Sequence, residues 1–280
     1  MLRFYQLISY LNLDVVAGAV ACSHFAAAVL HMEQNIVMQL CLALTVWLIY
    51  TVDRIMDVSK KGYHPNDRRH LFARRHRKKL IALCIPVFML DAHLAFFKLP
   101  QSLIVFGLLV TSAVIAYYVL LHMLPLQNSR WFQKEPVIAG VYTTAVWGSN
   151  LWLKGSLQAT EFFYYVIPFY CLALMNLVTF SFYEAESDEE NEERSITTTF
   201  GPRTAIIHIV FAFALVLTLG VTLLRESPNG TNLLISGTYA VIAFILFALY
   251  YRNDYFYDKD RYRVIGDAVF VLPYVATWLM

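Results

Sequence analysis

Apolar runs of membrane-spanning length recur along the whole chain, and they decide what it can fold into. Near residues 12–31, 35–52, 80–98, 101–124, 136–153, 161–182, 203–224, 232–251 and 263–280 the sequence stays predominantly apolar. Each run approaches the roughly 17 to 25 residues that a helix needs to cross a bilayer's hydrocarbon core. Backbone N–H and C=O groups find no partners in lipid, so a spanning segment satisfies its own by coiling into a helix. The alternation of a barrel strand is absent. Of 280 residues, 59% are hydrophobic and 15% charged, which leaves no stretch for a separate soluble domain. The chain reads as one polytopic all-α membrane domain over residues 1–280, with about nine transmembrane helices. The first run contains Asp14 and His24 and lacks a convincing cleavage site, so it reads as a retained span.

Lys and Arg set the expected orientation. They crowd into the stretches after the second, fourth and eighth spans, while the opposite connections carry little beyond Lys98, Lys154 and Arg225. The charged loops are therefore expected in the cytoplasm, with the N-terminus on that side and the C-terminus outside. A bacterial inner membrane or an organelle membrane fits this pattern. The four cysteines, Cys22, Cys41, Cys84 and Cys171, fall within spans and form no CxxC pair. They read as small packing residues.

Two polar loops, at about 53–79 and 183–202, carry most of the chemistry. The first is basic, "DRIMDVSKKGYHPNDRRHLFARRHRKK"; the second is acidic, "FYEAESDEENEERSITTTFG". Both follow a span of equivalent position. "DVVAGAV" opens the first span and "PVIAGVY" the fifth, a short echo that hints at a duplicated plan around one cavity. Asp53 and Asp57 lie four residues apart, on one helix face; Glu184 and Asp188 repeat that spacing. Two such pairs repel unless a positive group lies between them. Mg²⁺ held by Asp53, Asp57, Glu184 and Asp188, with a phosphate ligand completing its shell, is one reading. Neighbouring cations suit phosphate oxygens. The plainer reading is two solvated loops, the basic one enforcing topology or attracting anionic headgroups.

The placement of these motifs resembles the UbiA superfamily of intramembrane prenyltransferases. That family's first motif reads N-D-x-x-D-x-x-x-D, and "IYTVDRIMD" matches it at Asp53, Arg54 and Asp57, with Ile49 and Tyr50 in place of the leading pair. The second motif, D-x-x-x-D-x-x-x-D or a Gly-ended variant followed by a K-R-T-L…L-G-like stretch, resembles "SFYEAESDEENEERSITTTFG". Arg194, Ser195 and Gly201 fall at the expected offsets, Glu184 and Asp188 take two acidic positions, and Ser181 replaces the first Asp. Tyr118 and His122 stand near a family Tyr-x-x-x-Lys, and Lys134 resembles a family Lys before the fifth span. The resemblance implies Mg²⁺-dependent transfer, or cyclisation, of a prenyl diphosphate. Asp53, Asp57, Glu184 and Asp188 would act as metal ligands and catalytic groups. Arg54, Lys60, Arg68, Tyr118, His122, Lys134 and Arg194 would bind substrate. The partners would be the prenyl diphosphate, a lipophilic acceptor and membrane lipid.

Ionisable residues inside spans are functional candidates. Asp14 is expected at the cavity mouth or the interface. Asp267, deeper in "RVIGDAVFVLP", is expected either to orient a neighbouring helix or to line the cavity. Asp91 and His93 read as interfacial. Asn150 and Asn176 read as interhelical hydrogen-bonding residues. Two other functions compete with the enzyme: a non-catalytic lipid-binding or assembly protein of the same fold, favoured by Tyr50 and Ser181, and a small transporter. No Walker loop, zinc spacing, nucleophile motif or D-G-x-x-A-R stretch is present. Nothing points to nucleic acid.

Overall fold

The computed structural model of the chain describes residues 7–60, 68–123, 133–191, 193–257 and 261–280. Every regular element among them is helical. Six helices are long and apolar enough to cross a membrane: α2 (Ile36–Asp57), α3 (Arg68–Lys98), α4 (Gln101–Met123), α6 (Ala159–Tyr183), α7 (Pro202–Glu226) and α8 (Gly230–Tyr251). The other three expected spans are helical but shorter or less regular. Helix α1 (Leu13–Val29) has 17 residues. Helix α5 (134–154) contains a π-helical turn, Thr144–Gly148. Helix α9 (261–279) passes through two 3₁₀ turns, Val269–Val271 and Thr277–Leu279. The fold is therefore that of an all-α membrane protein.

Local chemistry explains where several helices begin. The Asn35 side chain accepts from Met38 N–H at the start of α2, and Asn229 accepts from Asn232 N–H at the start of α8, each satisfying a donor left open by the first turn. Gly201, with φ of 85°, makes the turn that only a residue without Cβ enters cheaply. Pro202 follows it at the first position of α7.

The core runs through α1, α5, α6, α7, α8 and α9. Phe25, Trp147, Phe169, Met175, Ile209, Ile235 and Leu246 are its largest fully buried members. Helices α3 and α4 are peripheral, with Phe88, Met89, Phe97, Leu108 and Ile115 exposed. Apolar exposure this extensive along two adjacent helices fits a membrane-facing surface. Helix α4 buries Leu103 and makes two further contacts with the body that bear on the site. Phe106 stacks near Trp152 and fills the notch at Gly148, where an added Cβ would lie 2.9 Å from the Phe106 ring; Tyr118 reaches α2 further along. Helix α3 bends at His76, whose φ and ψ of −107° and 15° leave the helical range. Its first turns pack on a small cluster of Ile55, Val58, Ala73 and Leu80. Gly266 brings α9 against α6 so closely that a Cβ there would sit 2.5 Å from Asn176 Oδ1.

Candidate functional site: a charged mouth over a small cavity

Helix α2 ends by presenting Asp53 and Asp57 one turn apart. Tyr118 of α4 donates its hydroxyl to Asp53 Oδ1 at 2.9 Å. Lys60 Nζ lies 2.7 Å from Asp57 Oδ1, and His70, at the start of α3, stands 3.9 Å from Oδ2. The same Lys60 reaches Glu193 Oε1 at 3.0 Å, and Lys134, at the start of α5, lies 3.6 Å from Glu193 Oε2. Lys60 thus ties the acidic end of α2 to the acidic segment after α6, and Lys134 ties that segment to α5. The positive charge between the carboxylates comes from the protein itself.

The acidic segment is held in place by hydrogen bonds to a carboxylate and to hydroxyl groups. Glu135, beside Lys134, accepts from Ile196 N–H at 3.0 Å. Ser195 caps the short helix Ile196–Phe200 in a reciprocal box with Thr198. Ser181 is buried. Its hydroxyl pairs with Thr197 Oγ1 at 2.8 Å and accepts from Thr197 N–H at 3.2 Å. Both bonds lie within the protein.

Glu184, at the end of α6, is gripped by Arg263 at 2.6 Å and accepts from the Tyr262 hydroxyl at 3.1 Å. Asp188 sits in the short helix Ala185–Glu190. Burial pushes its carboxyl up to about 6; Glu184 and Glu193 add to the rise, and Lys134 opposes it. For Lys60, burial alone would lower the ammonium's pKa. The charges of Asp57 and Glu193 outweigh burial and raise it.

Beneath this mouth lies a second ionic cluster. Arg69 Nη2 is 3.2 Å from Asp14 Oδ2 and 3.2 Å from Asp267 Oδ2, and its Nη1 donates to Asp267 Oδ2 at 3.3 Å. All three side chains are buried. Asp267 also lines a cavity between α1, α2, α5, α6 and α9, together with Tyr50, Tyr142, Asn176 and Phe270. Its volume is about 40 Å³, room for roughly three waters. Asn176 Oδ1 is buried there without a hydrogen-bond partner.

The structure therefore brings Asp53, Asp57, Lys60, Tyr118, Lys134 and the Glu184–Asp188 pair to one end of the bundle. Arg54 is buried and donates to the Tyr10 carbonyl at 3.1 Å. Arg68 and Arg194 are exposed. The side chain of His122 lies outside the described residues. Asp267 does both things expected of it, orienting Arg69 and lining the cavity. Asp14 is buried beneath the mouth, paired with Arg69, rather than exposed at an interface. Asp91 accepts from the Thr45 hydroxyl at 2.8 Å, a bond between α3 and α2.

Among the described residues no group of three or more His, Cys, Asp or Glu side chains is arranged to hold a metal ion. Asp53, Asp57 and Glu184 each already engage a protein donor. As placed, these carboxylates do not fit Mg²⁺ without displacing Lys60 or Arg263. No family model, curated protein or solved structure matches this chain.

Proposed function

We propose that the chain binds a prenyl diphosphate at the charged mouth and transfers its prenyl group to a lipophilic acceptor within the membrane. The observation that carries this reading is the meeting of Lys60 and Lys134 with carboxylates from two separate segments, next to a mainly apolar cavity that Tyr50, Tyr142, Asn176 and Asp267 also line. A diphosphate would exchange with Glu193 and Asp57 for the lysine ammonium groups, which suit phosphate oxygens as point charges. In transfer, the C–O bond to the diphosphate breaks and its electron pair leaves with the phosphate. The allylic carbon then bonds to the acceptor, which loses a proton to solvent at the mouth. Cations placed at the departing oxygens stabilise the charge that develops there, and apolar walls keep water from the carbon. The cavity must widen to admit an isoprene unit. No step is assigned to Mg²⁺, since the carboxylates as placed do not fit it.

Titration of a non-hydrolysable prenyl diphosphate analogue into nanodisc-held protein, with and without Mg²⁺, tests the reading. Saturable binding is expected, weakened at least tenfold by Lys134→Ala and altered by Asp53→Asn. Absence of binding, or binding indifferent to both substitutions, overturns it. A second reading, a non-catalytic lipid-binding protein of the same fold, is favoured by the small cavity and by Ser181 and the engaged carboxylates. Analogue binding without transfer of a radiolabelled prenyl group would select it.

A further inference from the structure

The mouth uses few of the cations in the basic segment. Residues 68–79 read "RRHLFARRHRKK" and contain no acid. Arg69 points inward to Asp14 and Asp267, Ala73 and Leu80 pack on the small cluster with Ile55 and Val58, and Phe72 stacks on Tyr10 with ring centroids 5.4 Å apart. These contacts fix the inner face of the helix. The outer face is fixed with it: Arg68, Arg74, Arg75, Arg77, Lys78 and Lys79 are all exposed. No carboxylate among the described residues pairs with any of the six.

The position of this strip identifies its partner. Immediately after Lys79 the helix runs into the lipid-facing part of α3, where Ile81, Leu83, Ile85 and Phe88 are exposed. The cations therefore stand at the depth where acyl chains end and headgroups begin. The bend at His76 sets Arg68, Arg74 and Arg75 at an angle to Arg77, Lys78 and Lys79, which continue the span. Leu71, half exposed among the cations, adds an apolar contact at the same level. Arg and Lys at this depth attract anionic headgroups, and guanidinium groups match phosphate oxygens in pairs.

We infer that the exposed face of residues 68–79 is a docking surface for anionic phospholipid headgroups of the surrounding bilayer, held in register by Arg69. It is distinct from the mouth, and it does not depend on what the mouth binds. The strip is preorganised, because its inner face is packed and ion-paired before any lipid arrives.

The test uses the full purified chain in detergent. Phosphatidylglycerol and phosphatidylcholine of equal chain length are titrated in, and bound lipids are counted by native mass spectrometry. The wild-type chain should retain phosphatidylglycerol with roughly tenfold preference, and 0.5 M salt, about the regime of complete screening, should remove most of that preference. A variant carrying Arg74→Gln, Arg75→Gln, Lys78→Gln and Lys79→Gln should lose the preference while keeping its melting temperature. Equal retention of both lipids by the wild-type chain overturns the inference without reference to any variant. So does a preference that survives in the folded quadruple variant. Variant-sensitive binding of polyglutamate, with no preference between lipids, would assign the strip to an acidic protein partner instead and equally overturn it.

Discussion

Two ionic clusters occupy the same end of this bundle and differ in what surrounds them. Arg69, Asp14 and Asp267 have side chains 7%, 4% and 8% exposed, whereas Lys60, which joins Asp57 to Glu193, is 41% exposed. The chemistry of the pairs is the same. The difference is in the solvent that would replace a lost partner. A buried charge stripped of its partner keeps its full desolvation cost, while an exposed one is rehydrated. The buried cluster therefore sets the position of α3 against α1 and α9. The exposed one can exchange its protein partners for a ligand, which is what a binding mouth requires.

Substitutions can break this contrast. Arg69→Leu should have the largest effect, leaving Asp14 and Asp267 close together without the guanidinium that bridges them. A loss of about 3 to 5 kcal/mol is expected, read as a lower melting temperature in detergent. Adding Asp14→Asn and Asp267→Asn should recover a large part of it, and failure to recover would show that Arg69 acts by packing rather than by charge. Next comes Gly266→Ala, one residue from Asp267. A methyl group there must displace Asn176 and Phe180, at a cost of roughly 1 to 3 kcal/mol.

The acidic segment is expected to respond to pH. Asp188 titrates near 6 in the folded chain, above an ordinary carboxylate, because burial and the acids around it disfavour its charge. The folded state thus holds this proton more tightly than the unfolded one. Its contribution is fully present below about pH 4 and is lost as pH rises through about 6. Asp188→Asn should raise the melting temperature by roughly 2 to 4 °C at pH 7.5, on the scale of about 1 kcal/mol, and leave it unchanged at pH 4. An equal shift at both pH values would refute the linkage. Lys60→Ala should have the smallest effect on stability, under about 1 kcal/mol.

Much of the helical plan was legible in the apolar runs, because lipid leaves a backbone few alternatives. The exceptions are informative. Helices α5 and α9 depart from regular α geometry at Thr144–Gly148 and Val269–Val271, and run length does not report such local changes of pitch. At the site, the four-residue spacing correctly placed Asp53 with Asp57 on one face. It could not show that Lys60 and Lys134 would fill the space between the acidic segments. Arg69 was hidden among nine other cations of its loop, since its partners lie 55 and 198 residues away. Only the unusual setting of Asp14 and Asp267 in apolar spans gave a signal that a buried cation was needed.

In mechanical terms α4 is a beam, and two of its supports can be named. One is the notch where Phe106 seats against Gly148, and the other is the bond from Tyr118 to Asp53. Twelve residues of helix separate them, roughly 18 Å. Both contacts resist sliding of the helix along its neighbours. Because the Tyr118 contact also belongs to the charged mouth, a ligand that captures Asp53 loosens one of the restraints on α4 at the same time.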